Sequence, residues 1–449
     1  MHTAIGALAT AFKKQGAELY LVGGAVRDMF MREGSYDLDF ATNLTPDEMF
    51  PILSRLHEGA EPFMQGSRFG TIGIVLLGQD IQVTTYRGES YKPGDRKPEV
   101  VFGDSITEDL RRRDFTVNAM AFDCIDGSVH DPFKGLDDLH GKTLRCPGNP
   151  YEMFMDDPLR MMRAARFVSR FGFKPTDLVV KAMTARAADI NHVSVERIQA
   201  ELTKTLIEDN ASSGLELLYT TGVLQHVLPE VAQLGELSQR QKGGFHHKDV
   251  LHHTFDVVDG TPKSILVRYA ALLHDVGKYY TRSRDANGYH FYGHEDAGAK
   301  VAKVALERLK MPNRDIDNIT KVVSLHMRTH VGQDVSSRAA RRLIFDAGDV
   351  LAPLMMLSRA DITSMNKNKV AMLMDRQLQF ELRIAQVLGE NKGKIECPVS
   401  GGDVMTALGI EPSPAVGDAL RWLTERYLDG AYDTKDEGVK LLKEDFKSS

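Results

Sequence analysis

The chain has 449 residues, which is too long for one ordinary domain and fits about three. Its 42% hydrophobic and 26% charged residues are typical of a globular protein, and no apolar run approaches the roughly 20 residues of a membrane span. Because the net charge is −6, any surface for nucleic acid must be a local basic patch.

Three cysteines are scattered along the chain, at Cys124, Cys146 and Cys397, without the spacing of metal ligands. Such an odd, scattered set argues against a disulfide framework and is typical of a reducing compartment. The first residues, MHTAIGALATAFKKQG, predict an amphipathic helix and lack the order of a secretory signal. We therefore expect a cytoplasmic protein with no membrane partner.

The first 140 or so residues mix short strands and helices. The segments AELYLVGG and YDLDFAT predict strands, and TIGIVLLGQDIQVTTYR predicts a hairpin that turns at Gly78-Gln79-Asp80. From about Pro150 onward strand signals stop, and helices broken by Gly and Pro follow one another. The sequence predicts an α/β head followed by an all-α remainder.

A pair of glycines, Gly23 and Gly24, follows the first predicted strand directly. Glycine lets the backbone approach a ligand closely, and the helix that follows offers free N–H groups to a phosphate. Arg27 lies in the first turn of that helix. The pattern is compatible with a phosphate loop, although plain turn chemistry produces the same pair.

Two carboxylates, Asp37 and Asp39, lie two residues apart in the second predicted strand, so they share one face. Two like charges held together are costly unless a cation lies between them, and oxygen ligands of this kind suit Mg²⁺ and phosphoryl transfer. A solvated strand edge is the alternative. The apolar neighbours Leu38 and Phe40 weaken it, because they predict a half-buried strand.

Two arginine-rich segments follow. EDLRRRDFTVNAMAFD leads Arg113 into a buried-looking stretch, and MDDPLRMMRAARFVSRFGF predicts a helix with Pro158 near its first turn. Arginines recur at three- and four-residue steps in that helix and form one basic stripe, made of Arg160, Arg163, Arg166 and Arg170. The alternative is that Asp157 caps the helix and the arginines are solvated.

The segments GGAVRD, DLD, RRRDFTVNAMA, DPFKGLDDL and DDPLRMMRAARF, taken together, resemble the class II tRNA nucleotidyltransferases, the bacterial CCA-adding enzymes and their poly(A) polymerase relatives. The motifs stand in the family's order over about the first 200 residues. The resemblance implies a polymerase-β-like palm in which Asp37 and Asp39 are catalytic and bind two Mg²⁺ ions. It places Gly24 and Arg27 at the triphosphate and Arg113 at the incoming nucleotide.

One departure from the family concerns the third acidic group that such palms commonly bring from a neighbouring strand. The aligned position is Gln82, an amide. Either two carboxylates suffice, or the third comes from elsewhere, such as Glu89 or Asp109.

Base selection has a chemical basis in this sequence. Cytosine and adenine both present an exocyclic amino donor beside a ring-nitrogen acceptor, which a carboxylate and a guanidinium can satisfy. Asp157 and Arg160, three apart on the predicted helix, can supply such an amino-acid template. The resemblance gives them this role, gives Arg163 and Arg166 triphosphate contacts, and makes Arg197 and Glu201 part of a structural motif.

The segment 88–105 is polar and contains Gly and Pro, which predicts a mobile loop. Family members that add only CC have a shortened segment here. Its full length favours complete CCA addition or A addition, although an ordinary surface loop has the same composition.

A second set of residues follows in the helical part, in the order His253, His274-Asp275, His294, His326, Asp361. This order resembles the HD phosphohydrolases, and His252 is an alternative to His253. The resemblance implies a first metal held by His253, His274, Asp275 and Asp361, with His294 and His326 completing a second site. Imidazole and carboxylate ligands suit a transition metal such as Mn, Fe, Co, Ni or Zn, and Lys278 could steady a phosphate.

These inferences predict a head at 1–145, a helical neck and RNA-binding body at 146–240, an HD domain at 241–365 and a helical tail at 366–449. The expected enzyme adds CCA to tRNA from CTP and ATP and hydrolyses 2′-phosphates or 2′,3′-cyclic phosphates in its HD domain. An A-adding or poly(A)-polymerase-like transferase is a close alternative. Another alternative for the whole chain is a phosphohydrolase whose head only binds RNA. For the second set of residues alone, the alternative is an HD fold that has lost its activity and serves solely as a tRNA-binding body.

Overall fold

The computed structural model describes residues 2–32, 34, 38–56, 61–63, 70–90, 99–103, 105–239, 250–285, 288–330, 336–363, 367–390 and 395–446. The chain forms two compact units, Met1–Val227 and Leu228–Ser449. The boundary between them falls inside the predicted segment 146–240, and the four-part division stays a prediction. Among the helices of the described ranges, none combines the length and hydropathy that a membrane crossing requires.

The first unit contains the strands of the predicted head. In chain order they are β1 Tyr20–Val22, β2 Leu38–Thr42, β3 Thr71–Leu76, β4 Gln79–Thr85, β5 Arg87–Ser90, β6 Glu99–Phe102, β7 Ala121–Asp123, β8 Val129–His130, β9 Thr143–Leu144 and β10 Lys174–Pro175. Six of them form one sheet in the order β3-β4-β2-β1-β7-β8, in which only the β2–β4 pairing is parallel. Strands β5 and β6 form a separate hairpin.

Strand β2 owes its position to the alternation of its side chains. Leu38 and Phe40 are buried and lie opposite Ile81 and Val83 of β4, whereas Asp39 between them is exposed. The strand therefore buries one face in the core and presents its carboxylate on the other, as the period of two requires.

The β3–β4 hairpin turns one residue earlier than the sequence predicted. The turn is Leu77-Gly78, with φ of 52° and 74°, and β4 already begins at Gln79. A two-residue turn with both residues at positive φ matches the right-handed twist of the flanking strands, which is why it replaces the expected Gly-Gln-Asp turn.

The helices of the first unit pack on the sheet and continue beyond it. They are α1 His2–Lys14, α2 Gly24–Met31, α3 Pro46–Leu53, α4 Ile106–Arg111, α5 Gly135–His140, α6 Pro150–Asp156, α7 Leu159–Phe171, α8 Asp177–Arg186, α9 Val195–Leu206, α10 Ala211–Thr220 and α11 Val223–Val227. Within the predicted mobile segment 88–105, residues 91–98 and 104 lie outside the described part of the chain.

The helix predicted with Pro158 near its first turn begins at Leu159, and Asp157, which was expected on one face of it with Arg160, lies outside it. Asp157 separates α6 from α7 with an extended backbone, φ −138° and ψ 95°. The proline ring disfavours helical φ and ψ for the residue before it, which forces the break. Asp157 and Arg160 therefore do not share one helix face.

The second unit is mostly helical. Its helices are α12 Pro229–Ala232, α13 Leu234–Gln239, α14 Val250–Gly260, α15 Ile265–Leu273, α16 Lys278–Thr281, α17 His294–Arg308, α18 Asn313–Leu325, α19 Ser337–Ala347, α20 Leu351–Asp361, α21 Lys367–Glu390, α22 Gly401–Leu408, α23 Pro414–Leu428 and α24 Lys435–Asp445. An α/β head followed by a mostly helical remainder is thus confirmed.

Strands also occur where only helices were predicted. A hairpin, β11 Ser283–Asp285 and β12 Gly288–His290, precedes α17, and the two-residue strand β10 pairs in parallel with β9 of the predicted head. The sequence carried a turn signal near this hairpin, since asparagine and glycine, here Asn287 and Gly288, are residues that favour turns.

Candidate active sites

In the first unit, a cavity of about 390 Å³ gathers most of the residues predicted for nucleotide transfer. Six of them line it: Gly24, Asp39, Arg113, Asp157, Arg160 and Arg163. Asp37 lies outside the described residues, so its pairing with Asp39 stays a prediction. The cavity brings one carboxylate of the predicted metal pair next to several guanidinium groups.

The Gly23-Gly24 turn shapes one wall of this cavity. Gly23 has φ of 73°, and a Cβ built on it would lie 2.9 Å from Nη1 of Arg113. A larger residue would be strained and would displace the arginine, so glycine is required here for close approach. Arg113 therefore crosses the turn at the start of α2.

Asp109 holds that arginine in place. Its Oδ2 is 2.9 Å from Nη2 of Arg113, and its Oδ1 is 2.9 Å from Nη2 of Arg112. Burial raises the pKa of Asp109, but the charges of Arg113 and Arg112 outweigh burial and leave the pKa below its ordinary value. Because arginines occupy both oxygens, Asp109 positions the arginines rather than offering a metal ligand.

Gln82 lies directly beside Asp39 in the parallel β2–β4 ladder, and both side chains are on the exposed face. Both also line a neighbouring cavity of about 400 Å³. Carboxylate and amide oxygens are hard donors of the kind that Mg²⁺ binds, so the residues present fit the predicted ion. The side chain of Glu89 is outside what the structure describes.

The two residues of the proposed template each have protein partners. Asp157 accepts a hydrogen bond from the Leu159 N–H at 3.2 Å, at the start of α7, and its Oδ2 is 3.2 Å from Nη2 of Arg197. Arg160 donates to the carbonyls of Met153 and Arg112, at 3.3 and 2.6 Å. Both side chains still reach the cavity, as does Arg197.

Arg197 is a functional candidate that the sequence analysis missed. It was assigned with Glu201 to a structural motif, but the two residues differ in the structure. Arg197 faces the cavity and pairs with Asp157, whereas Glu201 is buried and binds Arg166 with Oε2 2.8 Å from Nε.

Beside the cavity, a chain of hydrogen bonds links α7 to α2. Nε of Arg163 donates to Oδ2 of Asp114 at 2.8 Å, and Oδ1 of Asp114 accepts from Asn118 at 2.9 Å. Asn118 in turn accepts from Nη1 of Arg27 at 2.7 Å. Burial raises the pKa of Asp114, but the charge of Arg163 and the hydrogen bonds leave it below the ordinary value.

The structure does not bring Arg27 and Arg166 to the cavity formed by the described residues. Arg27 is buried, bonded to Asp28 and Asn118, with its guanidinium carbon 4.6 Å from the centre of the Phe171 ring. Arg166 binds Glu201 of α9. Their predicted contacts with a triphosphate stay predictions.

In the second unit, the predicted HD residues converge from the ends of five helices. Two groups have their ligand atoms within 4.8 Å of one another: His253, His274 and Asp361, and Asp275, His294 and His326. Asp275 joins the groups, because Oδ2 is 3.2 Å from Nε2 of His274 and Oδ1 is 3.5 Å from Nε2 of His294. This arrangement suits two neighbouring metal ions.

Backbone contacts orient the histidines as ligands. Three of the rings place Nδ1 within 2.7–2.8 Å of a carbonyl oxygen three residues earlier: His274 on Ala271, His294 on Phe291 and His326 on Val323. Nδ1 of His253 is 2.7 Å from Oγ1 of Thr363. In the neutral form of the ring, an Nδ1–H that donates in this way leaves Nε2 without a proton and available for a metal.

Nε2 of His274 is buried and has no hydrogen-bond partner among the described residues. Asp275 is near, but not in the geometry of a hydrogen bond. Burial lowers the pKa of His274, yet Asp275 and Asp361 raise it to about 10. A buried nitrogen ligand without a partner beside two carboxylates fits a bound cation.

The structure also decides between the two histidines of α14. His253 has Nε2 2.9 Å from Oδ1 of Asp361, whereas His252 is exposed with its ring near Phe255. His330 was missed by the sequence analysis, although its Nε2 is 3.0 Å from Oδ2 of Asp361. The spacing of four from His326 in SLHMRTH was the signal that could have identified it.

A cavity of about 430 Å³ opens onto these ligands. Lys278 lines it, with Nζ 2.6 Å from Oδ2 of Asp275, and its predicted contact with a phosphate stays a prediction. Phe291, Tyr292 and His330 also contribute to its wall.

Family models match three successive parts of the chain. The Poly A polymerase head domain matches residues 19–145, the probable RNA and SrmB-binding site of polymerase A matches 172–234, and the HD domain matches 223–366. Fold and sites together define a polymerase-type head joined to an HD domain.

Relatives extend the match over the whole chain. An A-adding tRNA nucleotidyltransferase of Deinococcus radiodurans is 31% identical over 441 residues, which cover 94% of each protein. The chain therefore belongs to the tRNA nucleotidyltransferase and poly(A) polymerase family. A CCA-adding enzyme of Geobacillus thermodenitrificans is 40% identical over 228 residues, or 51% of this chain and 54% of that protein. The chain thus spans about half the length of such CCA-adding relatives, 52–54% in three of them.

A solved structure has the same fold. The Bacillus stearothermophilus CCA-adding enzyme, crystallised with CTP, superposes with a TM-score of 0.66 at 24% identity, covering 98% of this chain and 96% of that one. The likeness extends to both compact units.

Proposed function

We propose that the first unit adds the nucleotides C, C and A to the 3′ end of tRNA, with CTP and ATP as substrates. The observation that supports this most is the meeting of Asp39, Arg113, Asp157, Arg160 and Arg163 at one cavity beside the Gly23-Gly24 turn. The family membership of the chain supports the same reaction, since it includes transferases that act on tRNA.

In the proposed reaction the tRNA 3′-hydroxyl attacks the α-phosphate of the bound nucleotide, and pyrophosphate leaves. Mg²⁺ held by Asp37 and Asp39 would supply Lewis-acid stabilisation of the transferred phosphoryl group. Arg113 and Arg163, held by Asp109 and Asp114, supply fixed positive charge for the triphosphate. Their positions are set before the nucleotide binds, because buried carboxylates hold them.

Asp157 and Arg160 are proposed to select the base. Asp157 accepts from the exocyclic amino group of C or A, and Arg160 donates to the neighbouring ring nitrogen. In the structure these groups bind Arg197 and two backbone carbonyls, so a correct base exchanges these contacts for new ones. Uracil and guanine present the opposite pattern and would leave both groups unpaired.

The test uses tRNA that lacks its 3′ end, incubated with one labelled nucleotide at a time. We expect incorporation of C but not A on the shortened tRNA, and of A on tRNA that already ends in CC. Incorporation of U or G as readily as C and A would contradict the proposal.

A narrower A-adding activity is the second candidate, because the relative that matches 94% of the chain is an A-adding tRNA nucleotidyltransferase. The same experiment separates the two. An A-adding enzyme extends only tRNA that ends in CC and incorporates no C.

We further propose that the HD residues of the second unit hydrolyse phosphoesters, namely 2′-phosphates or 2′,3′-cyclic phosphates. The two ligand groups would hold a transition metal such as Mn, Co, Ni or Fe, which when bound lowers the pKa of a coordinated water. Lys278 would hold the phosphate beside it. The observation that favours a working metal site over a relic is the buried Nε2 of His274, which makes no hydrogen bond with the described residues and lies beside Asp275 and Asp361.

A further inference from the structure

An aromatic side chain stands at the rim of the HD cavity with no role in the proposed chemistry. Tyr292 lines the cavity and is 79% exposed, more than any other large hydrophobic side chain of the described residues. It lies two residues before the proposed ligand His294. A ring this exposed adds little to the stability of the core, since burial is what stabilises the fold.

The neighbouring hairpin fixes the orientation of this ring. The ring of His290, on β12, stacks on Tyr292 with centroids 5.3 Å apart and planes at 5°. Nε2 of His290 is 2.8 Å from Oδ1 of Asp285, on the paired strand β11. One face of the tyrosine is thus covered by a ring that the hairpin anchors, and the high exposure leaves the rest of the side chain open to a ligand.

The chemistry of the cavity changes from this rim inward. Lys278 and a metal held by the ligand groups would suit a phosphate, whereas Tyr292 offers a flat apolar surface. A ligand that matches both has an anionic phosphate and a flat aromatic group on one small molecule. A nucleotide has this composition, and bases stack on exposed tyrosine rings with little dependence on sequence.

We propose that Tyr292 is the base-stacking platform of the HD site, and that the site takes a nucleobase next to its scissile phosphate. The proposal rests on the hydrolase function proposed above and adds the residue that recognises the base. Because stacking makes no hydrogen bonds to base edges, the site accepts all four bases, with purines favoured over pyrimidines through their larger rings.

The test compares two phosphomonoesters, adenosine 2′-monophosphate and glycerol 2-phosphate, which lacks a base. With the full-length protein and its activating metal, Tyr292→Ala is expected to raise KM for the nucleotide at least about fivefold, the smaller effect expected of one base–aromatic stack. The kcat stays the same, as does KM for glycerol 2-phosphate. Tyr292→Phe keeps the wild-type KM, because the ring alone is needed.

Tyr280→Ala is the matched control, since Tyr280 is an exposed tyrosine of the same unit that does not line the cavity. An RNA oligonucleotide ending in a 2′-phosphate forms a further arm. If KM for this oligonucleotide is lower than for the mononucleotide and again depends on Tyr292, the base that stacks on Tyr292 belongs to an RNA end. A higher KM identifies the free nucleotide.

Equal KM values for wild type and Tyr292→Ala, or equal losses on both monoesters, would overturn the platform. Calorimetric titration of adenosine 2′-monophosphate into wild type and Tyr292→Ala measures binding without hydrolysis. It therefore distinguishes failure of the stacking proposal from failure of the proposed hydrolase activity. If the wild type hydrolyses nothing in any metal, a Tyr292-dependent loss of binding still supports the platform, and unchanged binding rejects it.

Discussion

Asp39 occupies an exposed position on an otherwise buried strand, so its carboxylate contributes little to the core. Replacing Asp39 by Ala is expected to abolish nucleotide incorporation while leaving the melting temperature and tRNA binding close to wild type, because the carboxylate acts through the metal. The same result is expected for Asp37. Incorporation is measured with labelled nucleotide and tRNA lacking its 3′ end, and folding by circular dichroism.

Asp80→Ala is the matched control, because Asp80 is an exposed aspartate on β4 that does not line the cavity. It should keep full activity. Substantial incorporation by Asp39→Ala, or a comparable loss in Asp80→Ala, would contradict the assignment of the metal position.

Base choice should depend on Asp157. Asp157→Ala is expected to relax discrimination against UTP and GTP by about tenfold to a hundredfold, since a carboxylate that a wrong base covers and leaves unpaired costs on the order of 1–3 kcal/mol. The measurement is kcat/KM for each of the four nucleotides. If the kcat/KM values for all four nucleotides fall equally, Asp157 does not select the base. Its role is then limited to the hydrogen bond with Leu159 at the start of α7.

At the scale of single residues, the sequence predicted those whose chemistry lies in a local motif. Asp39 follows from strand alternation, and His274 from its neighbour Asp275. Arg197 could not be assigned in the same way, because its partner Asp157 lies 40 positions away in the sequence. His330 had a local signal in its spacing from His326, but its partner Asp361 lies 31 positions away. Spacing along a helix indicates a shared face but not which group from another element lies opposite.

Among the elements, α7 shows this limit most clearly. Its arginines were predicted to form one basic stripe, yet each binds a different partner: Arg160 two carbonyls, Arg163 Asp114 and Arg166 Glu201. The helix is thus tied to the loop after α4 and to α9, and only its first two arginines line the cavity. The break at Asp157 was predictable from Pro158, and a turn near the β11–β12 hairpin from Asn287 and Gly288.

The ion pair of Asp114 and Arg163 should stabilise the position of α7. Asp114→Asn is expected to lower the free energy of unfolding at pH 7 by about 1.5–3 kcal/mol, as for other hydrogen bonds to charged groups. Because the pKa of Asp114 is lower in the folded state, its contribution is present above the unfolded pKa and is lost as pH falls through the folded pKa.

The difference in melting temperature between wild type and Asp114→Asn tests this, since other titrating groups cancel in the comparison. The difference should be constant near neutral pH and shrink as pH falls below about 4, the ordinary pKa of an aspartate. A difference that grows toward acid pH would show that the folded-state pKa is raised instead.

At the scale of the whole molecule, the proposed metal ligands of the two activities lie in separate compact units. His274→Ala and Asp275→Ala are therefore expected to lose phosphoesterase activity and bound transition metal while keeping nucleotide addition. The measurements are metal analysis of the purified protein, a phosphoesterase screen with Mn, Co and Ni, and the incorporation assay.

His252→Ala is the matched control for this separation, because His252 precedes His253 on α14 but is exposed. It should retain metal and both activities. Suppose that the wild-type protein holds no transition metal and hydrolyses nothing in the presence of any metal. The second unit would then be an HD fold that serves only as a tRNA-binding body.

The division of the chain also limits what its sequence could predict. The α/β head and the helical remainder could be predicted, because the alternation of apolar and polar residues and the Gly and Pro residues that break helices are local patterns. The boundary between the compact units follows Val227, among successive short helices, so it could not be read from local patterns in the sequence.

The most direct test of the central claim is to sequence the 3′ ends of tRNA lacking CCA after incubation with the protein and all four nucleotides. We predict that wild type and Asp80→Ala produce ends of C, CC and finally CCA, and that Asp39→Ala leaves the ends unextended. Ends extended with other bases, wild-type ends left unextended, or extension that survives Asp39→Ala would contradict the account.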